Sequence, residues 1–272
     1  MPDVPVAIDA HCHLDFPELE RDLDEVIARA RRAGVQGWVI AAANPDHWDR
    51  AASVAARGTA ALCLGIHPWW VRERGEQQLQ DDLGFLETIG ALDGIGETGL
   101  DWARDRPDSD AGARQRASYA AHIELAHLRN LPVVLHVVRA HADALGMLSA
   151  LDLPSRGGLV HAWSAGPEWV DPALELGLHL SFGTDLARSQ RVREAAAEVP
   201  LDRLLIETDA PDRPLPPHTR GEPAHVLDVA TLLAEVRGCD PAEILTATTE
   251  NARSLFPALR PDPPVGDVLP PG

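Results

Sequence analysis

The feature that most limits how this chain can fold is a repeating unit. A short apolar or β-branched run ends on a polar residue, and a helical stretch rich in Ala, Leu, Glu and Arg follows. The first run, Val6 to Leu14, carries His11 and His13, and its helix runs from Asp22 towards Ala33, where Gly34 stops it. Later runs end near Asn44, at His67, Glu97, His136 and His161, in Gly183-Thr184-Asp185, and at Asp209. Further helices are expected over about 113–129, 224–237 and 241–255. Eight such units predict a single-domain (β/α)8 TIM-type barrel over residues 1–260. An open doubly wound sheet would need a Gly-rich turn after its first strand, and none is there. Residues 261–272 are Pro-rich and acidic and read as a loose tail.

In a barrel of this kind the chemistry sits at the C-terminal ends of the strands. His11, His13, His67, Glu97, His136, His161 and Asp209 all fall at such ends. Alternation along the first strand would put Asp9, His11 and His13 on one face and Ala10, Cys12 and Leu14 on the other. Imidazoles and carboxylates are the ligand set for Zn, and also for Mn, Co or Mg where carboxylates dominate. Six strong candidates among these seven exceed what one open catalytic ion needs, which predicts two divalent ions sharing a water that becomes the nucleophile. Two ions need a bridging group. All 24 basic residues are arginine, so no lysine is available as the bridge. Glu97, set among glycines in Gly94-Ile95-Gly96-Glu97-Thr98-Gly99, is the obvious carboxylate for that place.

A net charge of −18 argues against non-specific duplex binding through a broad basic face. It leaves a nucleic-acid substrate open, because bound ions add local positive charge. No apolar run approaches the roughly 20 residues that cross a bilayer, and Asp3 with no basic residue ahead of the first strand argues against a secretory leader. Cys12, Cys63 and Cys239 have no metal-like spacing and read as free thiols, so a cytoplasmic monomer without membrane contact is expected. With lysine absent, Arg139, Arg213 and Arg220 are the candidate phosphate readers in loops on the catalytic side. Trp69, Trp70, Trp102 and Trp163 follow strand ends, where indoles either stack bases or pack beneath loops. His122, His127 and His179 read as surface or packing residues, and His141, His218 and His225 as candidate rim contacts. Asp9 is placed to orient a ligand, while Asp15 and Asp101 either orient ligands or cap loops.

The chain resembles the TatD family of metal-dependent hydrolases within the amidohydrolase-like superfamily. The resemblance rests on Asp9-Ala10-His11-Cys12-His13, Gly65-Ile66-His67-Pro68, Gly96-Glu97-Thr98-Gly99-Leu100-Asp101, Leu131 to His136, His161-Ala162-Trp163-Ser164, Leu205 to Pro211, and Asn251 to Phe256. It implies that His11, His13, Glu97 and Asp209 hold one ion, and Glu97, His136 and His161 the second. It also implies that Asp209 accepts the proton of the attacking water. His67 would contact the substrate phosphate or Asp209 without being a primary ligand. Three positions depart from the family: Arg139 lies one residue later than usual after His136, Trp163 stands for a Phe, and Gly221-Glu222-Pro223 replaces Asn-Glu-Pro. All three touch the substrate rim and none removes a ligand, with Trp163 joining the arginines as a candidate substrate contact. The implied activity is a deoxyribonuclease or phosphodiesterase acting on DNA ends. Two other readings stay open: an ester or amide hydrolase such as a D-aminoacyl-tRNA deacylase, and a non-catalytic barrel scaffold.

Overall fold

Nearly every strand position is buried, which is why the runs read as continuous apolar segments and not as alternating ones. A computed structural model describes residues 6–261. Of the expected tail 261–272, all but Pro261 lies outside the described residues. The strands are β1 Ala7–Cys12, β2 Val35–Ala42, β3 Ala60–Leu64, β4 Gly94–Asp101, β5 Val133–Val138, β6 Gly158–Val160, β7 Leu178–Phe182 and β8 Leu204–Ile206. They form one parallel sheet in sequence order, with helices between them. The seam between β8 and β1 closes just beyond β8. There the Asp209 N–H donates to the His11 carbonyl at 3.0 Å and the His13 N–H donates to the Ala210 carbonyl at 2.7 Å. This is the (β/α)8 barrel the repeat predicts.

Two apolar clusters hold it. The larger lies between strands and helices; the helix Leu23–Ala33 contributes Leu23, Val26, Ile27 and Ala30, the spacing of one helical face. Gly34 ends that helix in the left-handed region at φ 103°. The smaller cluster joins Ile8, Ala10, Val39, Ala41, Val134, Leu159 and Leu205 from the strands to Ala252, Leu255 and Phe256, so the end of the last helix plugs the barrel floor. That helix, Pro241–Leu255, also fastens the seam from below. Thr249 Oγ1 donates to the Val6 carbonyl at 3.0 Å, and Asn251 Nδ2 donates to the carbonyls of Leu201 and Leu204 at 2.8 Å each. Among the described residues no helix is long and apolar enough to cross a membrane.

Two strands run further than the sequence reading. β4 continues through Glu97 to Asp101, and β5 runs past His136 to Val138, because these two strands pair with one another along that stretch. Alternation also breaks in β1. The register advances three residues from Asp9 to Cys12 while β2 advances two, from Trp38 to Ile40. Ala10 therefore packs in the inner cluster and Cys12 and Leu14 in the outer one, contrary to the expected shared face. One extra residue re-aims the strand, as a β-bulge does.

Candidate metal centre

His11 lies within that bulge and His13 just beyond it, and their Nε2 atoms come within 3.3 Å of each other. Glu97 Oε2 lies 3.6 and 3.5 Å from these two nitrogens, and Asp209 Oδ1 lies 3.6 and 3.3 Å from them. A tetrahedral ion with ligands at about 2.0–2.1 Å has donor–donor edges of roughly 3.3–3.4 Å. The separations from the two histidine nitrogens, 3.3 to 3.6 Å, are close to that spacing. The other carboxylate oxygen, Glu97 Oε1, lies 3.0 Å from His136 Nδ1 and 2.7 Å from His161 Nε2, and those two nitrogens are 3.1 Å apart. Glu97 thus divides its two oxygens between two groups of donors.

Glycine makes this approach possible. A Cβ on Gly65 would sit 2.6 Å from both the Gly96 Cα and the Glu97 carbonyl oxygen. Gly96 itself has φ +138°, and a Cβ there would run into the Val134 carbonyl. β3, β4 and β5 can therefore close beneath the Glu97 side chain.

Carboxylates behind the histidines fix which nitrogen faces the centre. His136 Nε2 points to Asp101 Oδ2 at 3.5 Å, and His161 Nδ1 points to Glu207 Oε1 at 3.4 Å, an oxygen that also accepts the Ala162 N–H at 2.6 Å. Each outer N–H then leaves a lone pair aimed inward. His67 behaves otherwise. Its Nδ1 accepts the Trp69 N–H at 3.1 Å, so its proton resides on Nε2, 3.3 Å from Glu97 Oε1. By distance alone His67 groups with Glu97 and His136, but an imidazole presenting N–H is a donor and not a ligand. Asp9 is buried and accepts from the Thr208 N–H at 2.9 Å, from Thr208 Oγ1 at 2.5 Å and from the His11 N–H at 3.4 Å. It secures the backbone that carries His11 and Asp209 and does not reach the ring nitrogens.

The electrostatics call for cations. Burial pushes the Asp209 carboxyl up, yet the His13 hydrogen bond and the His161 and His11 charges bring it down to about 2. Glu97 is likewise penalised by burial, and the neighbouring His161 and His67 hold it well below the usual carboxylate range. Burial works against the His13 cation, but Asp209 and Glu97 push its pKa up to about 9. Positive charge demanded at the donor nitrogens can be supplied by a divalent ion in place of protons. The donor set and its spacing fit such ions.

The centre opens into a cavity of about 580 Å³ lined by Trp69, Arg104, Ser164, Asp185, Asp212 and Arg213 as well as His136, His161 and Asp209. A smaller pocket of about 160 Å³ reaches deeper, to His13, His67 and Glu97. Of the candidate substrate contacts, Arg213 lines the cavity and pairs with Asp185. The other three are placed elsewhere. Arg139 is exposed and outside the lining, Trp163 is buried against His141, and Arg220 is engaged by Asp22 and Glu222 at 2.6 and 2.9 Å. Loops carrying charge on the catalytic side find acidic partners as readily as they find the mouth. Trp102 bonds Asp143 at 3.0 Å and lies under Arg116, away from the centre. His218 and His225 stack on each other at 3.8 Å over a separate concavity, and Asp15 faces His47 at 3.7 Å. Sequence reasoning did not single out Glu207 or Arg104. Glu207 lies two residues before Asp209 at a strand end, which was the available signal. Nothing in the sequence distinguishes Arg104 from other loop arginines.

The family described as TatD related DNase matches residues 8–257. The chain is 32% identical over 257 residues to the uncharacterized metal-dependent hydrolase YcfH of Escherichia coli, covering 92% of this chain and 95% of that one. It is 32% identical over 260 residues to the 3′-5′ ssDNA/RNA exonuclease TatD of Erwinia tasmaniensis, covering 91% and 98%. The crystal structure of YjjV, a TatD homolog from Escherichia coli, superposes with a TM-score of 0.84 at 31% identity, covering 93% of this chain and 99% of that one.

Proposed function

The chain belongs to the family of TatD-related DNases and is a metal-dependent hydrolase of the TatD type; from that premise we propose that it cleaves phosphodiester bonds at DNA ends, single strands in preference to duplex. The observation that carries this reading is the division of the Glu97 carboxylate, Oε2 towards His11, His13 and Asp209, and Oε1 towards His136 and His161. These residues would hold two divalent ions, of Zn, Mn, Mg or Co. When bound, such ions supply an acidified water and a positive field around a phosphate.

The chain's own groups do the rest. Asp209, ionised at neutral pH, reaches both the outer cavity and the inner pocket and accepts the proton of the attacking water. His67 presents Nε2–H into the inner pocket, where it donates a hydrogen bond to a phosphate oxygen or to the leaving oxygen. A cavity of about 580 Å³ beside a pocket of about 160 Å³ suits a strand end better than a double helix. The names of two relatives, a metal-dependent hydrolase and a single-strand exonuclease, support the same reading.

The test is a side-by-side assay of metal-loaded protein on 3′-ended single-stranded DNA, duplex DNA, D-aminoacyl-tRNA and simple esters. Single-stranded DNA is expected to turn over fastest, with activity lost in Glu97→Ala and Asp209→Ala. Undiminished cleavage in either variant would sink the assignment, and preferential release of the D-amino acid would replace it with a deacylase.

A further inference from the structure

One aromatic group at the mouth, on the short helix Pro68–Glu73, is fixed in place by a buried carboxylate. Trp69 is 37% exposed, among the few large apolar residues that face solvent, and it borders both the outer cavity and the inner pocket. Its indole Nε1 donates to Asp101 Oδ2 at 2.7 Å, and its ring centroid lies 6.3 Å from that of His136. The other Asp101 oxygen accepts the backbone N–H groups of Ala103 at 2.8 Å and Arg104 at 3.3 Å. One buried carboxylate therefore fixes the plane of the indole and the start of the loop that carries Arg104.

Arg104 lays its guanidinium 3.5 Å from the Trp69 ring centroid. Among the described residues its side chain makes no ion pair or hydrogen bond. That separates it from Arg213, the other arginine of the lining, which is paired with Asp185. A planar cation resting on this face shows that the face accepts a flat group from the cavity side. Arg104 is also the lining cation left without a carboxylate.

We propose that Trp69 and Arg104 form the seat for the nucleoside next to the bond that is cut, the base stacking on the indole and the guanidinium binding the adjoining phosphate. The inference rests on the phosphodiesterase reading and names where its substrate is gripped. An exposed cation–π contact is weaker than base–aromatic stacking. An incoming base displaces the guanidinium from the ring, and the freed fork meets phosphate oxygens in charge-assisted hydrogen bonds. Asp101 keeps the indole from turning, so little side-chain freedom is lost on binding. The seat takes an unpaired, unstacked base, which a strand end offers and a duplex interior does not.

The test compares an oligothymidylate with an abasic oligonucleotide of the same length, reading KM and kcat separately on the metal-loaded protein. Wild-type protein is expected to favour the thymidylate by about 10-fold in KM. Trp69→Leu should collapse that ratio towards one and Trp69→Phe should keep part of it, while Arg104→Gln should raise KM for both substrates. A Trp69→Leu protein that retains the wild-type ratio, or an Arg104→Gln protein whose KM moves for neither substrate, overturns the proposal. If the wild-type protein cleaves neither substrate, the phosphodiesterase reading fails. The seat is then judged by fluorescence anisotropy of labelled oligothymidylate, where equal binding by wild type and Trp69→Leu overturns it and weaker binding by Trp69→Leu supports it.

Discussion

Asp209 donates its backbone N–H to the His11 carbonyl at 3.0 Å, and its Oδ1 lies 3.6 Å from Nε2 of the same histidine. The pair that closes the barrel is thus also a corner of the candidate metal centre. β8 is only three residues long, and past it the chain leaves regular strand geometry, with Asp209 at φ 57° in the left-handed region. The seam at this level depends on a few hydrogen bonds, and Asp9 supplies several of them.

Removing Asp9 should therefore weaken the centre without removing a donor. Asp9→Ala leaves the Thr208 N–H buried and unpaired, which costs about 1–3 kcal/mol of stability. It also loosens the backbone between His11 and Asp209. Metal affinity is expected to fall by about 10–100-fold, as when a supporting partner of a ligand is lost. Competition against a chelating dye, alongside urea unfolding, checks both effects. Unchanged affinity would show that seam and centre are independent.

Glu97 is expected to decide how many ions the protein holds. Its two oxygens serve separate donor groups, so Glu97→Ala takes one ligand from each. His136 and His161 are then left as two imidazoles, too few for a firm site. His11, His13 and Asp209 retain three donors. Elemental analysis after dialysis should find about two ions per wild-type chain and no more than one in the variant. Two ions in Glu97→Ala would rule out a bridging role.

The barrel was legible in the sequence because its apolar runs end on chemically distinctive residues, from His11 to Asp209, and the helix after the first run carries its own stop signal at Gly34. The donors were legible for the same reason. The β1 bulge was not, because an extra residue between Asp9 and Cys12 is set by pairing with β2 and closure against β8, and the one-strand pattern contains neither. The rim was the least legible part. Arg220 and Arg104 are both loop arginines, and what separates them is whether Asp22 and Glu222 stand nearby, a tertiary fact. Asp101 shows the same limit: only the fold reveals that it serves His136, Trp69 and the loop at once.

His67 separates a donor from a ligand. With Nδ1 occupied by the Trp69 N–H, its Nε2 carries the proton, so His67→Ala should leave the metal content at its wild-type value. Turnover should still fall by about 10²–10³-fold, the usual scale for losing a hydrogen-bond donor to the charge that develops at the reacting group. Metal analysis and kcat on the same preparations give the answer. Loss of an ion in His67→Ala would make it a ligand after all.

Part of the acid sensitivity should trace to a histidine outside the candidate metal centre. His122 is buried on the helix Asp110–Arg129, where Nε2 accepts the Ile66 N–H at 3.0 Å and Nδ1 donates to the Ser118 carbonyl at 2.7 Å. Burial lowers its pKa from 6.5 to about 4. Above pH 6.5 the imidazole is neutral in both folded and unfolded chains and costs nothing. Between 6.5 and about 4 the unfolded chain takes up a proton that the folded one refuses, so stability falls as the pH falls. Below about 4 the folded form protonates too and the loss levels off, at a total of about 3 kcal/mol from this group. His122→Gln keeps an acceptor for the Ile66 N–H and has no proton to gain. Urea midpoints measured from pH 7 down to pH 4 should drop less steeply in that variant than in wild type. Parallel curves would mean that the acid loss arises elsewhere.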